Sequence, residues 1–147
     1  MTESDEIIGS YPHAQFVVRR DNRVIITYGK GIWNQGMNEK FTGAIKKLVA
    51  SFDGNPWGLL CCLNDWQLST HDSVPVIQMF GGWALSNNLR QSALIYQENC
   101  LKKYQLQQMV PSDSSDYKTR YFAKEVEAFE WFKDCGFPVR DARCKVA

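Results

Sequence analysis

The chain has 147 residues, 44% hydrophobic and 22% charged, which suits one globular domain with its own core. Its 17 lysines and arginines nearly balance 16 aspartates and glutamates, so it lacks the basic surplus that attracts nucleic acid or anionic lipid. No apolar run is long enough to be a transmembrane segment. Five cysteines, an odd number with no secretory signal before them, predict reduced thiols and a cytoplasmic location.

The first third of the chain predicts a flexible start, a hairpin and a helix. Residues 1–13 are polar and acidic at the beginning and are expected to be a flexible N-terminus. Two β-rich runs, 16–20 and 23–28, follow with Asp-Asn between them, which predicts an antiparallel hairpin. Asn34 then precedes an apolar pattern at helical spacing over residues 37–52, so we expect Asn34 to cap a helix.

The run Trp57-Gly-Leu-Leu-Cys-Cys-Leu63 carries no charge and ends abruptly in polar residues. Such a run is typical of a strand that is covered on both faces. The sequence therefore predicts that residues 57–63 form the central strand of an α/β sheet, with Cys61 and Cys62 on opposite faces as small core residues.

Further along, Ser73 is expected to cap a second helix that has Pro75 in its first turn. Short β-rich runs then predict strands at 92–96 and 118–122, and apolar residues at helical spacing predict helices at 99–109 and 123–135. The resulting order is ββαβαβαβα, and the predicted fold class is α/β with a mixed, mainly parallel sheet of about five strands and helices on its faces. Residues 14–137 are expected to form the single domain, and 138–147 a mobile C-terminal tail.

Two segments carry a resemblance to a known family. One is Gly31-Ile-Trp33-Asn34 at the start of the first helix, and the other is Tyr121-Phe122 followed by the helical pattern from Glu125 to Phe132. With the order of elements, they resemble the small bacterial STAS-like proteins, which are similar to anti-sigma-factor antagonists. The resemblance covers roughly residues 14–137. It implies a non-enzymatic regulatory module that binds a protein partner or a small, partly apolar ligand, as the lipid-carrying CRAL-TRIO relatives by fold do.

The resemblance also implies an alternative, an antagonist that is controlled by phosphorylation. In the antagonists, a Ser or Thr in an Asp-Ser-Ser-Gly-like turn after the central strand is phosphorylated. The matching stretch, residues 64–70, lacks the Ser-Gly step. By position, Ser69, Thr70 and Ser73 are the candidates for modification.

Parallel strands bring the loops at their carboxyl ends to one edge of a sheet, where ligands commonly bind. The residues that we expect at this ligand or partner edge are Trp33, Asn34, Asp65, Trp66, Gln67 and Glu98. Trp33 and Trp66 could flank a shallow apolar cleft and act as anchors for a partner. The competing interpretation is that Trp33 packs behind the first helix.

A small enzyme that uses Asp65, Glu98 or His71 for acid–base chemistry is a further alternative. An Asp at the end of a strand more often caps a turn, and no Gly-x-Ser-x-Gly elbow accompanies His71. Cysteine and histidine spacings typical of metal sites are absent from the sequence, so neither a cofactor nor a metal is predicted. The sequence leaves the ligand, the partner and the oligomeric state, a homodimer included, open.

Overall fold

The computed structural model describes residues 5–145, which fold into one six-stranded sheet and four α-helices. The strands are β1 (Glu6–Tyr11), β2 (Ala14–Asp21), β3 (Val24–Trp33), β4 (Trp57–Ser69), β5 (Leu89–Ile95) and β6 (Lys118–Phe122). The helices are α1 (Gln35–Val49), α2 (Val74–Ser86), α3 (Cys100–Met109) and α4 (Glu125–Asp134).

The strands lie side by side in chain order. The pairs β1–β2 and β2–β3 are antiparallel, whereas β3–β4, β4–β5 and β5–β6 are parallel. This confirms the predicted mixed, mainly parallel α/β sheet, and β4 pairs on both sides as expected for residues 57–63. The sheet has six strands instead of about five because β1 joins its edge.

Strand β1 occupies part of the segment that the sequence predicts to be flexible. Residues Glu6–Tyr11 pair along their whole length with β2, so the expected flexible N-terminus is wrong for these residues. Residues 1–4 of that prediction lie outside the described residues.

Three helices cover one face of the sheet and the fourth covers the other. Successive right-handed crossovers in one direction place α1, α2 and α3 together, on what we call the three-helix face. Helix α4 packs on the opposite side, the α4 face, through Phe129 and Phe132. Strand β4 alternates between the two, with Cys61 on the three-helix face and Cys62 on the α4 face.

A glycine of β4 permits the close approach of α4. A Cβ atom on Gly58 would lie 2.7 Å from Cε2 of the fully buried Phe132 ring, so a side chain there would force that ring to move. The absence of a side chain at this position therefore lets the Phe132 ring pack directly on β4.

The helix starts follow the sequence in one case and depart from it in another. The side-chain oxygen of Asn34 accepts a hydrogen bond from the amide of Met37 at 2.9 Å, which confirms the predicted cap of α1. Helix α2 begins directly after Ser73, but the Ser73 side chain makes no capping hydrogen bond and instead lies 3.1 Å from the Thr70 hydroxyl.

The C-terminal segment, residues 138–145, is fastened to the domain, which corrects the expected mobile tail for these residues. Residues 146 and 147 of that prediction lie outside the described residues. The Asp21 carboxylate accepts hydrogen bonds from the amides of Arg140 and Asp141, both at 2.8 Å. Cys144 forms a disulfide with Cys62, so the expectation of reduced thiols is wrong for this pair. Cys61, Cys100 and Cys135 are free.

Candidate functional site

An open groove of about 790 Å³ lies at the carboxyl ends of β3 and β4, where the sequence predicts a ligand or partner edge. Its walls come from the β1–β2 turn, the ends of β3 and β4, and the start of α3. We call it the edge groove, and its residues beyond the β1–β2 turn are Lys30, Gly31, Asn64, Asp65, Trp66, Gln67, Leu68, Asn99, Leu101 and Lys102.

The structure brings three of the six predicted edge residues to the edge groove, namely Asp65, Trp66 and Gln67. Trp33 and Trp66 are each only 4% exposed, so neither forms the accessible aromatic anchor that the sequence suggests. Trp33 packs at 4.8 Å, ring centre to ring centre, against Phe41 of α1, as the competing interpretation predicts.

Asn34 and Glu98 complete the predicted set, and neither lines the edge groove. Asn34 is used as the helix cap. Glu98 is exposed after β5. Burial is the main cause of the raised pKa of Tyr96, and the charges of Tyr121 and then Glu98 add to the shift.

Asp65 has a partner that the sequence did not single out. The hydroxyl of Tyr28 donates to Oδ2 of Asp65 at 2.5 Å. Burial, followed by the hydrogen bond and the negative charge of Asp65, raises the pKa of Tyr28 to about 12. The parallel pairing of β3 with β4 could have predicted this contact, because it brings the second half of β3 beside the residues that follow Cys62.

Lys102 of α3 binds the backbone of β4 next to Asp65. Its ammonium group donates to the carbonyl oxygens of Leu63 at 2.8 Å and Asn64 at 3.1 Å. Burial lowers the pKa of Lys102, and the charge of Asp65 opposes that shift. The polar end of β4 is thus held by groups from β3 and α3, and the groove floor is well ordered by hydrogen bonds.

A second cavity, of about 100 Å³, lies between the sheet and the helices of the three-helix face. We call it the core cavity, and its exposed inner surface is almost entirely apolar. Its principal lining residues are Trp33, Phe41, Leu59, Cys61, Trp66, Phe80, Leu94, Leu106, Met109 and Tyr117. Trp66 lines both the core cavity and the edge groove.

The polar groups in the wall of the core cavity have partners within the protein. The indole nitrogen of Trp33 donates to the carbonyl of Lys30 at 3.0 Å, and that of Trp66 donates to the Ser69 hydroxyl at 3.2 Å. The Tyr117 hydroxyl donates to Ser92 at 2.8 Å. Among residues 5–145, the buried side-chain atoms without a partner belong to Arg19, Arg20 and Gln91, which do not line this cavity.

Cys61 contributes an uncharged sulfur to the cavity wall. Burial raises the pKa of its thiol to about 11, and a hydrogen bond with Thr27 opposes the shift only in part. Because the thiolate is the nucleophilic form, this thiol is a poor nucleophile at neutral pH. Cys61 therefore behaves as the small core residue that the sequence predicts.

The three candidate phosphorylation residues differ in accessibility. Ser69 is 9% exposed and Ser73 is fully buried, whereas Thr70 is exposed. The Thr70 hydroxyl donates to Oδ1 of Asp72 at 2.5 Å. A phosphate on Thr70 would therefore stand beside a carboxylate that repels it.

The residues of the enzymatic alternative do not share a cavity. Asp65 lines the edge groove and a cavity on the α4 face, and neither cavity includes Glu98 or His71. Among residues 5–145, no cluster of three or more His, Cys, Asp or Glu side chains could hold a metal ion. Over the same residues, no helix is long and apolar enough to cross a membrane.

Comparison with known proteins identifies the fold. No family model matches the chain, and no curated protein matches it. Among solved structures, the chain is similar to an uncharacterised protein from the DUF3478 family with a SpoIIAA-like fold, from Shewanella loihica PV-4. The TM-score is 0.58 at 13% sequence identity, over 84% of this chain and 97% of the other. The chain therefore has a SpoIIAA-like fold, which confirms the resemblance to STAS-like proteins.

Proposed function

We propose that this protein is a non-enzymatic STAS-like binding module that takes a small, mainly apolar molecule into the core cavity. The observation that carries the proposal is an apolar cavity between the sheet and α1–α3 whose polar neighbours already have partners. A water molecule needs two to four polar partners, and this wall offers few that are free.

The size and chemistry of the core cavity limit its occupant. Its volume is about 100 Å³, and an engineered apolar cavity of roughly 150 Å³ in another protein stays dry and binds benzene. An aromatic ring or a short alkyl chain would gain roughly 0.8 kcal/mol for each buried CH₂ group. An ionised carboxylate would lose its hydration without a charged partner, so the ligand class is uncharged.

The fold supports this proposal by analogy. The CRAL-TRIO relatives, which share the fold class through the STAS-like resemblance, bind apolar ligands. The core cavity supplies the geometry that such binding needs, because it lies among aromatic and aliphatic side chains between the sheet and the helices of the three-helix face.

Titration of the protein with toluene, followed through its five tryptophan indole N–H signals by NMR, tests the proposal. Trp33 and Trp66 line the core cavity, and Trp57, Trp83 and Trp131 do not. We expect saturable shifts of the Trp33 and Trp66 signals and little change in the other three. Uniform shifts of all five signals, or no saturation, would contradict a defined site.

A matched pair of variants locates the binding. Leu94→Phe should fill the core cavity and abolish the toluene-dependent shifts, at little cost in stability because the extra atoms enter free space. Leu60→Phe is the control, because Leu60 is fully buried on the α4 face and lines no part of the core cavity. Overpacking there should cost about 1–3 kcal/mol of folding free energy and leave toluene binding intact.

A protein partner at the edge groove is the second function that an observation favours. Leu101, at the rim of this groove on α3, is 66% exposed, which is high for a large apolar side chain. Trp33 and Trp66 are too buried to serve as the anchors of such a contact. Leu101→Ser should weaken partner binding, measured by pull-down, without affecting the toluene titration.

A further inference from the structure

The Cys62–Cys144 disulfide joins the central strand to the C-terminal segment across 82 residues of sequence. Cys62 is buried in β4 on the α4 face, and Cys144 is half-buried in residues 138–145. The bond lies on the side of the sheet opposite the core cavity. Its role is therefore separate from the proposed function.

The end of the segment covers the Tyr28 ring, whose hydroxyl donates a hydrogen bond to the exposed Asp65. The ammonium group of Lys145 lies 5.2 Å from the centre of the Tyr28 ring, and Tyr28 is only 8% exposed. A cavity of about 410 Å³ on the α4 face has both Tyr28 and Asp65 in its wall, together with Cys144 and Lys145. The segment is thus one wall of a cavity that contains a carboxylate and a phenol.

Two sets of contacts hold this segment. Residues 140–143 are fixed by buried charges on β2, because Asp21 accepts two amides and the Arg19 guanidinium donates to the carbonyls of Asp141 and Arg143. Beyond Arg143, the segment is held by the disulfide, by a hydrogen bond from the Cys144 amide to Glu125 at 2.7 Å, and by Lys145 over the Tyr28 ring. The disulfide is the only covalent one of these.

We propose that Cys62–Cys144 is a reversible thiol–disulfide site, at which a dithiol reductant frees the end of the C-terminal segment and uncovers the Tyr28 ring. A thiolate of the reductant attacks the sulfur of Cys144, the more accessible of the two residues, and forms a mixed disulfide. The electron pair of the broken bond leaves on the Cys62 sulfur, which takes up a proton. The second thiol of the reductant then displaces Cys144 as a thiol, and the reductant leaves as its own disulfide.

Reduction changes how the segment can open. In the oxidised protein, residues 138–145 are tethered at both ends, by α4 at one end and by Cys144 at the other. In the reduced protein the covalent tether at Cys144 is gone, so the segment can open from that side, which also loosens the amides of Arg140 and Asp141 that donate to Asp21. Local opening of this kind is what amide hydrogen exchange measures.

The test combines thiol counting with hydrogen–deuterium exchange on the full chain, before and after treatment with dithiothreitol under native conditions. Alkylation after denaturation should rise from 3 thiols to 5. Exchange at Arg140 and Asp141 should accelerate about tenfold or more, with the far-ultraviolet circular dichroism unchanged. Reoxidation should restore slow exchange.

Two serine variants complete the design. Cys144→Ser should show the fast exchange without any reductant, and Cys135→Ser, which removes a free, exposed cysteine after α4, should behave as the unchanged protein. Reduction that occurs only in denaturant would overturn the proposal, and so would unchanged exchange at Arg140 and Asp141 once five thiols are counted.

Discussion

At the scale of single residues, the hydrogen bond from Tyr28 to Asp65 contributes to the raised pKa of Tyr28. Asp65 is the second and third cause of the raised Tyr28 pKa, and burial is the first. We therefore predict that Asp65→Asn lowers the pKa of Tyr28 from about 12 but leaves it above the ordinary value of 10.0, because the ring stays buried. An NMR titration of ring-labelled tyrosine, assigned with Tyr28→Phe, measures the change. An unchanged pKa would mean that the contact with Asp65 does not form in solution.

The same pair predicts a pH dependence of stability. The folded chain holds the Tyr28 proton more tightly than the unfolded chain does, because its folded pKa is about 12 against 10.0. The resulting stability is complete below pH 10 and is lost as the pH rises toward 12. Urea unfolding across this range should show a shallower loss for Tyr28→Phe than for the unchanged chain. Parallel curves for the two proteins would contradict the coupling.

At the scale of elements, the adjacent glycines of α2 lie in different surroundings. A Cβ atom on Gly81 would meet Cγ of Pro111 at 2.8 Å, whereas one on the exposed Gly82 would meet nothing within 4 Å. Gly82→Ala should therefore stabilise the protein by about 0.5–1 kcal/mol, the usual gain of Ala over Gly in a helix. Gly81→Ala should lose that gain, since the Pro111 ring must move. Chemical denaturation of both variants decides this, and equal stabilities would contradict the close packing of α2 on Pro111.

The sequence predicts elements well wherever the hydrophobic pattern is strong. Residues 57–63 and the helical repeat that follows Asn34 are local patterns, and both lie in the structure as predicted. Strand β1 was missed because it lies at the edge of the sheet, where Ile8 stays 57% exposed. Its sequence therefore shows no clear alternation of apolar and polar residues. The extension of β4 to Ser69 was missed because Asn64, Asp65 and Gln67 are polar, which is typical of the end of a buried strand.

The site is less predictable than the fold for a physical reason. Asp65 and Trp66 could be placed at one edge of the sheet, because parallel strands bring the residues near their carboxyl ends to the same edge. The core cavity depends instead on how α2 and α3 pack over the sheet, which brings Phe80 and Leu106 near Trp66. The pattern of a single sequence does not predict how these side chains pack, so it does not predict the cavity between them.

At the scale of the whole molecule, the disulfide sets how the C-terminal segment and the sheet unfold together. It closes a loop across 82 residues. The pairing was not predicted, because Cys62 and Cys144 come together only when residues 138–145 fold back onto the sheet. Cross-links of this span stabilise a protein by roughly 4 kcal/mol in the chain-entropy description. Cys62→Ser together with Cys144→Ser should lower the free energy of unfolding by about that amount. Urea denaturation measures it, and a loss below about 1 kcal/mol would show that the oxidised chain does not depend on this bond.

The central claim is that the core cavity is a dry, apolar binding site, and a crystal structure determined under xenon pressure tests it most directly. Xenon binds apolar cavities and has no affinity for hydrogen-bonded water sites. We predict one well-occupied xenon atom between Trp66, Leu94 and Leu106, which line the cavity, and none there in Leu94→Phe. A cavity filled by ordered, hydrogen-bonded water and empty of xenon, or side chains collapsed to remove it, would contradict the account.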